Sequence, residues 1–274
     1  MTAPEALLLP LQVLDSEGRS NNYRVAKAMY HAIDHGAQVI NMSLGTTYRS
    51  ACMEEAAVEA FDRGIVVVGS MGNLGVAEPR EFPGSDNKAF GVAATDSMDA
   101  IAPFSSFGPR TDFTAPGASL TLGGSIQRDA SLFGALPGGS FGSWRGTSFA
   151  TAFVSGTAAL VRAQHPEWPN AQVPASAVAD AVMDIVAAGA VDIDSSNPGY
   201  ERQLGRGRVN AGASALLSPI APSTGDLDGN GTVSGADLGI LFSSWGPCSG
   251  CPADLDRNGV VNGADVGILL AHWS

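Results

Sequence analysis

The sequence predicts an α/β domain built on a parallel sheet, followed by a small helical module. Three observations carry that reading. Short apolar runs alternate with segments of helical periodicity between residues 22 and 188, the pattern of strands covered on both faces by helices. An acidic motif punctuated by Asn and Gly then recurs, beginning at Asp226 and again at Asp254. Between the two patterns lies Ser218-Pro219-Ile220-Ala221-Pro222-Ser223-Thr224, which reads as a stiff linker. The expected domains are therefore 1–217 and 225–274, joined by 218–224.

The elements follow in order. Leu7–Leu14 is apolar and extended in character and is expected to be a strand, with Pro10 at a bulge or an edge. Asn22–His35 is expected to be a helix, because Val25, Met29 and Ile33 recur four apart and Gly36 stops the run. Val39–Met42 reads as a strand, Ser50–Arg63 as a helix ended by Gly64, and Ile65–Gly69 as a strand. Ala89–Ala94 and the residues before Pro116 add extended segments. Thr147–Gln164 is a long apolar helix closed by His165-Pro166, and Ala175–Ala188 is another.

Composition narrows the function. With 274 residues, 45% of them hydrophobic and 15% charged, the chain has ample material for a core. A formal charge of −12 argues against nucleic acid or an anionic membrane as partner, since both demand basic surfaces. No run approaches the roughly 20 apolar residues of a membrane span. Leu7–Leu14 is too short, and lacks the basic flank, for a signal peptide.

The chemistry-bearing stretch is Gly146-Thr147-Ser148-Phe149-Ala150-Thr151-Ala152-Phe153-Val154-Ser155-Gly156. Ser148 at the head of an apolar helix has two readings. It is a helix cap, or it is a nucleophile placed where backbone N–H groups favour developing negative charge. Other phrases select between them. Ser43-Leu44-Gly45 follows the run Val39-Ile40-Asn41-Met42, and Gly72-Asn73 follows Ile65-Val66-Val67-Val68-Gly69. Phe104-Ser105-Ser106-Phe107-Gly108-Pro109 and Thr114-Ala115-Pro116-Gly117 come next, and Gly205-Arg206-Gly207-Arg208-Val209-Asn210 closes the series. In order and spacing these phrases resemble the second part of the catalytic domain of subtilisin-like serine peptidases, over about residues 3–213.

That resemblance implies a three-layer parallel-sheet fold and proteolysis of peptide or protein substrates through an acyl-enzyme, in a protein exported from the cell. It makes Ser148 the nucleophile and gives Asn73 the role of oxyanion donor beside the backbone N–H of Ser148. Ser43, Leu44 and Gly45 correspond to the edge that pairs with substrate backbone and walls the first specificity pocket; Ser70 and Gly72 match the opposite wall. Small residues on both walls suit a sizeable apolar side chain. The resemblance also implies a cis bond at Phe82-Pro83.

Two departures qualify this. Ala152-Phe153 stands where many relatives carry Pro-His, and reads as a packing change. More seriously, the family's triad runs Asp, His, Ser along the chain, and neither an Asp-Thr-Gly-like nor a His-Gly-Thr-His-like phrase occurs here. Met1-Thr2-Ala3-Pro4-Glu5-Ala6 resembles what usually follows that His. The chain is therefore expected to be a catalytic domain lacking its N-terminal part, with an unpaired sheet edge and no appreciable turnover. His31, His35, His165 and His272 read as ordinary surface or cap residues. A non-catalytic peptide-binding protein is the second reading. A serine esterase is the third, resting only on Gly138-Gly139-Ser140-Phe141-Gly142, which matches a nucleophile elbow without the strand and helix that the elbow needs.

The C-terminal repeat has its own chemistry. Asp226, Asp228, Asn230, Thr232, Ser234 and Asp237 occupy positions 1, 3, 5, 7, 9 and 12 of an EF-hand-type loop; Asp254, Asp256, Asn258, Val260, Asn262 and Asp265 repeat the set. Alternating oxygen donors, with Gly at position 6 for the sharp turn, converge on a hard cation, so two Ca2+ ions are expected. Each loop precedes an apolar stripe, Leu238-Leu241-Phe242-Trp245 and Val266-Leu269-Leu270-Trp273, and metal binding is expected to drive folding and bury both tryptophans. The pair resembles a dockerin, which implies a cohesin-like partner. Gly235-Ala236 and Gly263-Ala264, however, replace the hydroxyl residues that often recognise one. Cys248-Ser249-Gly250-Cys251 offers too few ligands for zinc and is expected to close a local disulfide, leaving Cys52 unpaired.

Overall fold

The computed structural model of the chain divides into two compact units, Met1–Ser218 and Pro219–Ser274. It describes all residues except 1, 80, 119–120, 123–124, 127–131, 137, 218–224, 226, 229–232, 249–250, 257 and 274. The linker expected at 218–224 thus lies outside the described residues.

The larger unit opens with helix α1 (Asn22–Asp34), whose first turn is capped by Asn21: its side chain accepts from the N–H of Arg24 at 2.8 Å. Strand β1 (Val39–Met42), helix α2 (Ala51–Asp62), strand β2 (Val66–Ser70), strand β3 (Phe90–Thr95) and strand β4 (Thr111–Pro116) follow. The four strands form one parallel sheet in the order β1-β2-β3-β4. Two short antiparallel pairs come next, β5 (Thr121–Leu122) with β6 (Ser125–Ile126) and β7 (Leu132–Ala135) with β8 (Phe141–Trp144). Helices α3 (Thr147–Gln164), α4 (Ala175–Ala188) and α5 (Ala211–Leu217) complete the unit.

Alternation along β2 divides the core. Val66 and Val68 point into a cluster with Val154, Ala158 and Val161 of α3 and Val178 and Val182 of α4. Val67, on the other face, packs with Val25, Met29 and Ile33 of α1 and Met53 and Ala57 of α2. Helices therefore cover both faces, giving three layers, and each fully buried valine contributes about 1.5–3 kcal/mol of transfer free energy. The periodicities of α1, α2, α3 and α4 placed those helices to within a residue or so.

Leu7–Leu14 is a correction. It forms no strand: Leu7 is 99% exposed, and no backbone group of the run enters a ladder among the described hydrogen bonds. An apolar run becomes a strand only by pairing, and Pro10 removes one donor of its own. Among the described residues nothing pairs with the free edge of β1, where Asn41 is exposed. Phe153 is 37% exposed on α3, so it is a surface position rather than a packing change. The bond between Phe82 and Pro83 is cis, as is that between Trp168 and Pro169.

The smaller unit contains helices α6 (Gly235–Ser243) and α7 (Gly263–Ala271), each behind one acidic loop. It is not purely helical: β9 (Gly246–Pro247) pairs antiparallel with β10 (Val260–Val261). Its core holds Val233, Leu241, Ala253, Val261 and Leu269. The apolar stripes are only half used. Leu241 and Leu269 are buried, whereas Trp245 and Trp273 are 53% and 47% exposed. Cys248 and Cys251 are disulfide-bonded, and Cys52 is free.

Candidate functional site

The residue that caps helix α3 is Gly146, not Ser148. Gly146 has φ 146°, a backbone conformation that suits glycine, and its N–H donates to the carbonyl of Gly117 at 2.8 Å. Ser148 is thereby placed in the first turn, where the backbone N–H groups have no intrahelical partners. Asn73, after β2, satisfies one of them. Its Oδ1 accepts from the N–H of Thr147 at 2.8 Å and from the Thr147 hydroxyl at 3.0 Å. This fixes which end of the amide faces the helix and leaves the Nδ2 donor for another acceptor. A Cβ added to Gly146 would stand 3.5 Å from Asn73 Nδ2 and 3.8 Å from the backbone N of Ser148. The two expected oxyanion donors thus flank a space that glycine keeps open.

Beyond β1, Ser43 docks on the same helix start. Its hydroxyl donates to the carbonyl of Ser148 at 2.7 Å, and the Ser148 hydroxyl donates to the carbonyl of Ser43 at 3.2 Å. Asn41 supports this contact, donating from Nδ2 to Ser43 Oγ at 3.0 Å while its Oδ1 accepts from Ser155 Oγ at 2.9 Å. The structure therefore brings Ser43, Asn73 and Ser148 together, with Leu44 and Gly45 continuing from one side and Ser70 and Gly72 leading in from the other. Asn41 was not legible in the sequence, where it read only as a residue of a strand.

The Ser148 hydroxyl donates to a carbonyl, not to an imidazole. His31 and His35 stack on one another at 3.9 Å on α1, His165 stacks on Trp168 at 4.0 Å, and His272 accompanies Ile268 at the end of α7. Ser140 of the elbow-like phrase lies in the turn of the β7–β8 hairpin, where the N–H of Leu136 donates to its carbonyl at 2.8 Å. A strand-to-helix elbow is not formed there.

One acidic side chain at this site was missed. Glu81 fills the gap between the two segments assigned as pocket walls. A Cβ on Gly45 would meet its Cγ at 2.6 Å, and one on Gly72 would collide with its Oε2. That oxygen is buried, and among the described residues nothing donates to it. Burial holds the Glu81 carboxyl above the usual carboxylate range. Its backbone is fixed: Ser85 donates to the Glu81 carbonyl from both N–H and hydroxyl at 2.8 Å, and Phe82 exchanges hydrogen bonds with Thr46 at 2.9 and 3.0 Å. Nothing in the sequence singles Glu81 out, since Glu78 and Asp86 lie in the same stretch between Asn73 and β3.

In the smaller unit, Asp254, Asp256 and Asp265 each bring a carboxylate oxygen within 4.8 Å of the other two. That spacing fits ligands on one Ca2+ at roughly 2.3–2.6 Å. The loop around them is organised by Asp265, buried, whose Oδ1 accepts from the N–H groups of Leu255 and Asp256 and whose Oδ2 accepts from that of Asn262. Burial acts to raise its pKa, but these donors outweigh it and hold the group below the usual range. Asn258 and Asn262 bond within the loop, through Asp256 and Val260. In the first loop Asp237 does the same work for Leu227, Asp228 and Ser234. Asp226, Asn230 and Thr232 lie outside the described residues.

Comparison with known proteins agrees with this geometry. The model of the subtilase family, peptidase S8, matches residues 2–209. Subtilisin BL of Lederbergia lenta is 36% identical over 171 residues, covering 62% of this chain and 59% of the relative. Alkaline elastase YaB of Bacillus sp. (strain YaB) is 32% identical over 211 residues, 77% of this chain and 49% of the relative. Among solved structures, a lanthipeptide protease superposes with a TM-score of 0.67 at 28% identity, over 79% of this chain and 72% of that one. The chain spans about half the length of the curated relatives it matches. From residue 2 to residue 209, this chain belongs to the subtilase family of serine peptidases.

Proposed function

We propose that the larger unit carries the substrate-binding and nucleophile-bearing part of an exported subtilisin-like endopeptidase, and that the smaller unit is a calcium-dependent dockerin-like anchor for a cohesin-like partner. Ser148 is the nucleophile. Asn73 Nδ2 and the Ser148 N–H receive the oxyanion, and substrate backbone lies along Ser43–Gly45 with its leading side chain between that edge and Ser70–Gly72. The observation that carries this is Asn73 Oδ1 capping Thr147, since it aims the amide donor at the space beside Ser148.

A nucleophilic serine needs a base, and Ser148 bonds to the Ser43 carbonyl instead. We infer that the Asp and His of the triad come from residues this sequence does not contain, so the chain by itself binds peptides without appreciable turnover. That bond also favours the second reading, a peptide-holding protein. A fluorophosphonate probe separates them: the chain alone should remain unlabelled, and a form extended upstream by an Asp- and His-bearing segment should label at Ser148. Stoichiometric labelling of the chain alone would overturn the need for an added base. For the anchor, isothermal titration of the full chain should give two Ca2+ ions, and Asp226→Ala with Asp254→Ala should give none.

A further inference from the structure

We propose that Glu81 makes the pocket beside Ser148 select a basic side chain, Arg or Lys, over an apolar one. The inference rests on the peptide-groove reading above and names the substrate class that groove takes.

The two walls are anchored at their near ends to the nucleophile's helix. Gly45 lies two residues beyond Ser43, which is hydrogen-bonded to Ser148 in both directions, and Gly72 precedes Asn73, which caps Thr147. The space between Gly45 and Gly72 is therefore the space a peptide side chain enters when its carbonyl stands at Ser148. Glycine at both positions leaves room, and Glu81 occupies it.

A carboxylate in such a place has a cost. Its Oε2 is shielded from water, and among the described residues no N–H, hydroxyl or cation satisfies it. Arg49, whose guanidinium lies 5.3 Å from the centroid of the neighbouring Phe82 ring, is already paired with Glu54. Burial alone pushes the carboxyl toward its neutral form. An entering guanidinium or ammonium removes that penalty with a charge-assisted hydrogen bond, and an apolar side chain leaves it in place. The net charge of −12 adds a general attraction for cationic peptides. Small walls alone suit a large apolar residue; the acid between them reverses that preference.

The test uses the full chain and fluorescein-labelled tetrapeptide amides in 150 mM salt, read by fluorescence polarisation. Ala-Ala-Ala-Arg and Ala-Ala-Ala-Lys place the charge in the pocket, and Arg-Ala-Ala-Phe carries the same charge outside it. The wild type should bind the first two about tenfold or more tighter than the third. E81Q should erase the difference, and E81D should keep most of it, with melting curves showing that both variants fold. An equal affinity of the wild-type chain for all three peptides overturns the proposal whatever the variants do. So does a preference that survives E81Q, or an E81Q that tightens only the Phe peptide, the mark of a carboxylate that merely plugs the pocket. If no peptide binds at all, the groove reading itself falls and takes this inference with it.

Discussion

The two units build their sites in opposite ways. Around Ser148 the contacts that join the strand ends to the helix start are long-range: Ser43 meets Ser148 across 105 residues, Asn73 meets Thr147 across 74, and Asn41 meets Ser155 across 114. Around Asp265 the partners are three, nine and ten residues away, and Asp237 repeats the same three separations. A local site is written in spacing, because one turn of chain brings its ligands together. A non-local site depends on the sheet bringing strand ends to one helix start, and it persists only while that sheet is intact.

The sharpest way to break this contrast is at the acidic loops. Asp237→Ala with Asp265→Ala leaves three backbone N–H groups in each loop without their acceptor and removes the closing ligand of both sets. Partly buried donors left without an acceptor destabilise the loops, and a unit of this size has little stability to spare. Calcium titration of the full chain should show no bound ion and a reduced helical signal. The larger unit's own melting transition should be unaltered.

Next in size is Gly146→Ala. A side chain at φ 146° is strained, by about 1–3 kcal/mol, and it stands between Asn73 Nδ2 and the Ser148 N–H. Peptide affinity and any turnover of an extended form should fall together, with a melting temperature lowered by several degrees.

Asn73 separates two roles carried by one side chain. Asn73→Ala loses the cap on Thr147, worth about 0.5–2 kcal/mol, together with the oxyanion donor. Asn73→Asp restores an acceptor at a helix N-terminus but supplies no donor. Its melting temperature should recover to near wild type, while turnover of an extended form stays down by roughly 10²–10³, a magnitude established on a subtilisin rather than on this chain. If the Asp variant turns over normally, Asn73 is only a cap.

These contrasts explain what the sequence could and could not reveal. Helices α1 to α4 were legible because apolar periodicity acts within a helix, and Asp254, Asp256 and Asp265 because loop spacing acts within a loop. Ser148, Asn73 and Ser43 were legible only through a family resemblance, since nothing in their own surroundings says that they meet. Glu81 was missed because its significance lies in two glycines it touches, one 36 residues earlier and one nine residues earlier. Leu7–Leu14 misled because apolarity describes what a strand buries, while a strand exists only through its neighbour.

The smallest effect concerns two carboxylates, one buried and one half-buried, that differ in their donors. Asp237 accepts from the N–H of Ser234 and from those of Leu227 and Asp228, which hold it below the usual range against the pull of burial. Asp112, in β4, accepts among the described residues from one N–H, that of Gly91 at 2.7 Å. Burial there outweighs that bond and the attraction of Arg206 and Arg110, so its pKa lies above the ordinary value. The sign follows by linkage. Because folded Asp112 holds its proton more tightly than the unfolded chain does, its contribution is most favourable below the unfolded pKa of about 3.9 and is lost as pH rises through the folded value. Asp112→Asn keeps an acceptor for Gly91 and removes the charge that burial penalises. Its melting temperature at pH 7 should therefore exceed that of the wild type by about 2 °C, and the difference should close as the pH approaches 4. A difference that instead grows on acidification would mean that Arg206 and Arg110, not burial, govern this carboxylate, and that the larger unit also stabilises its acids by pairing.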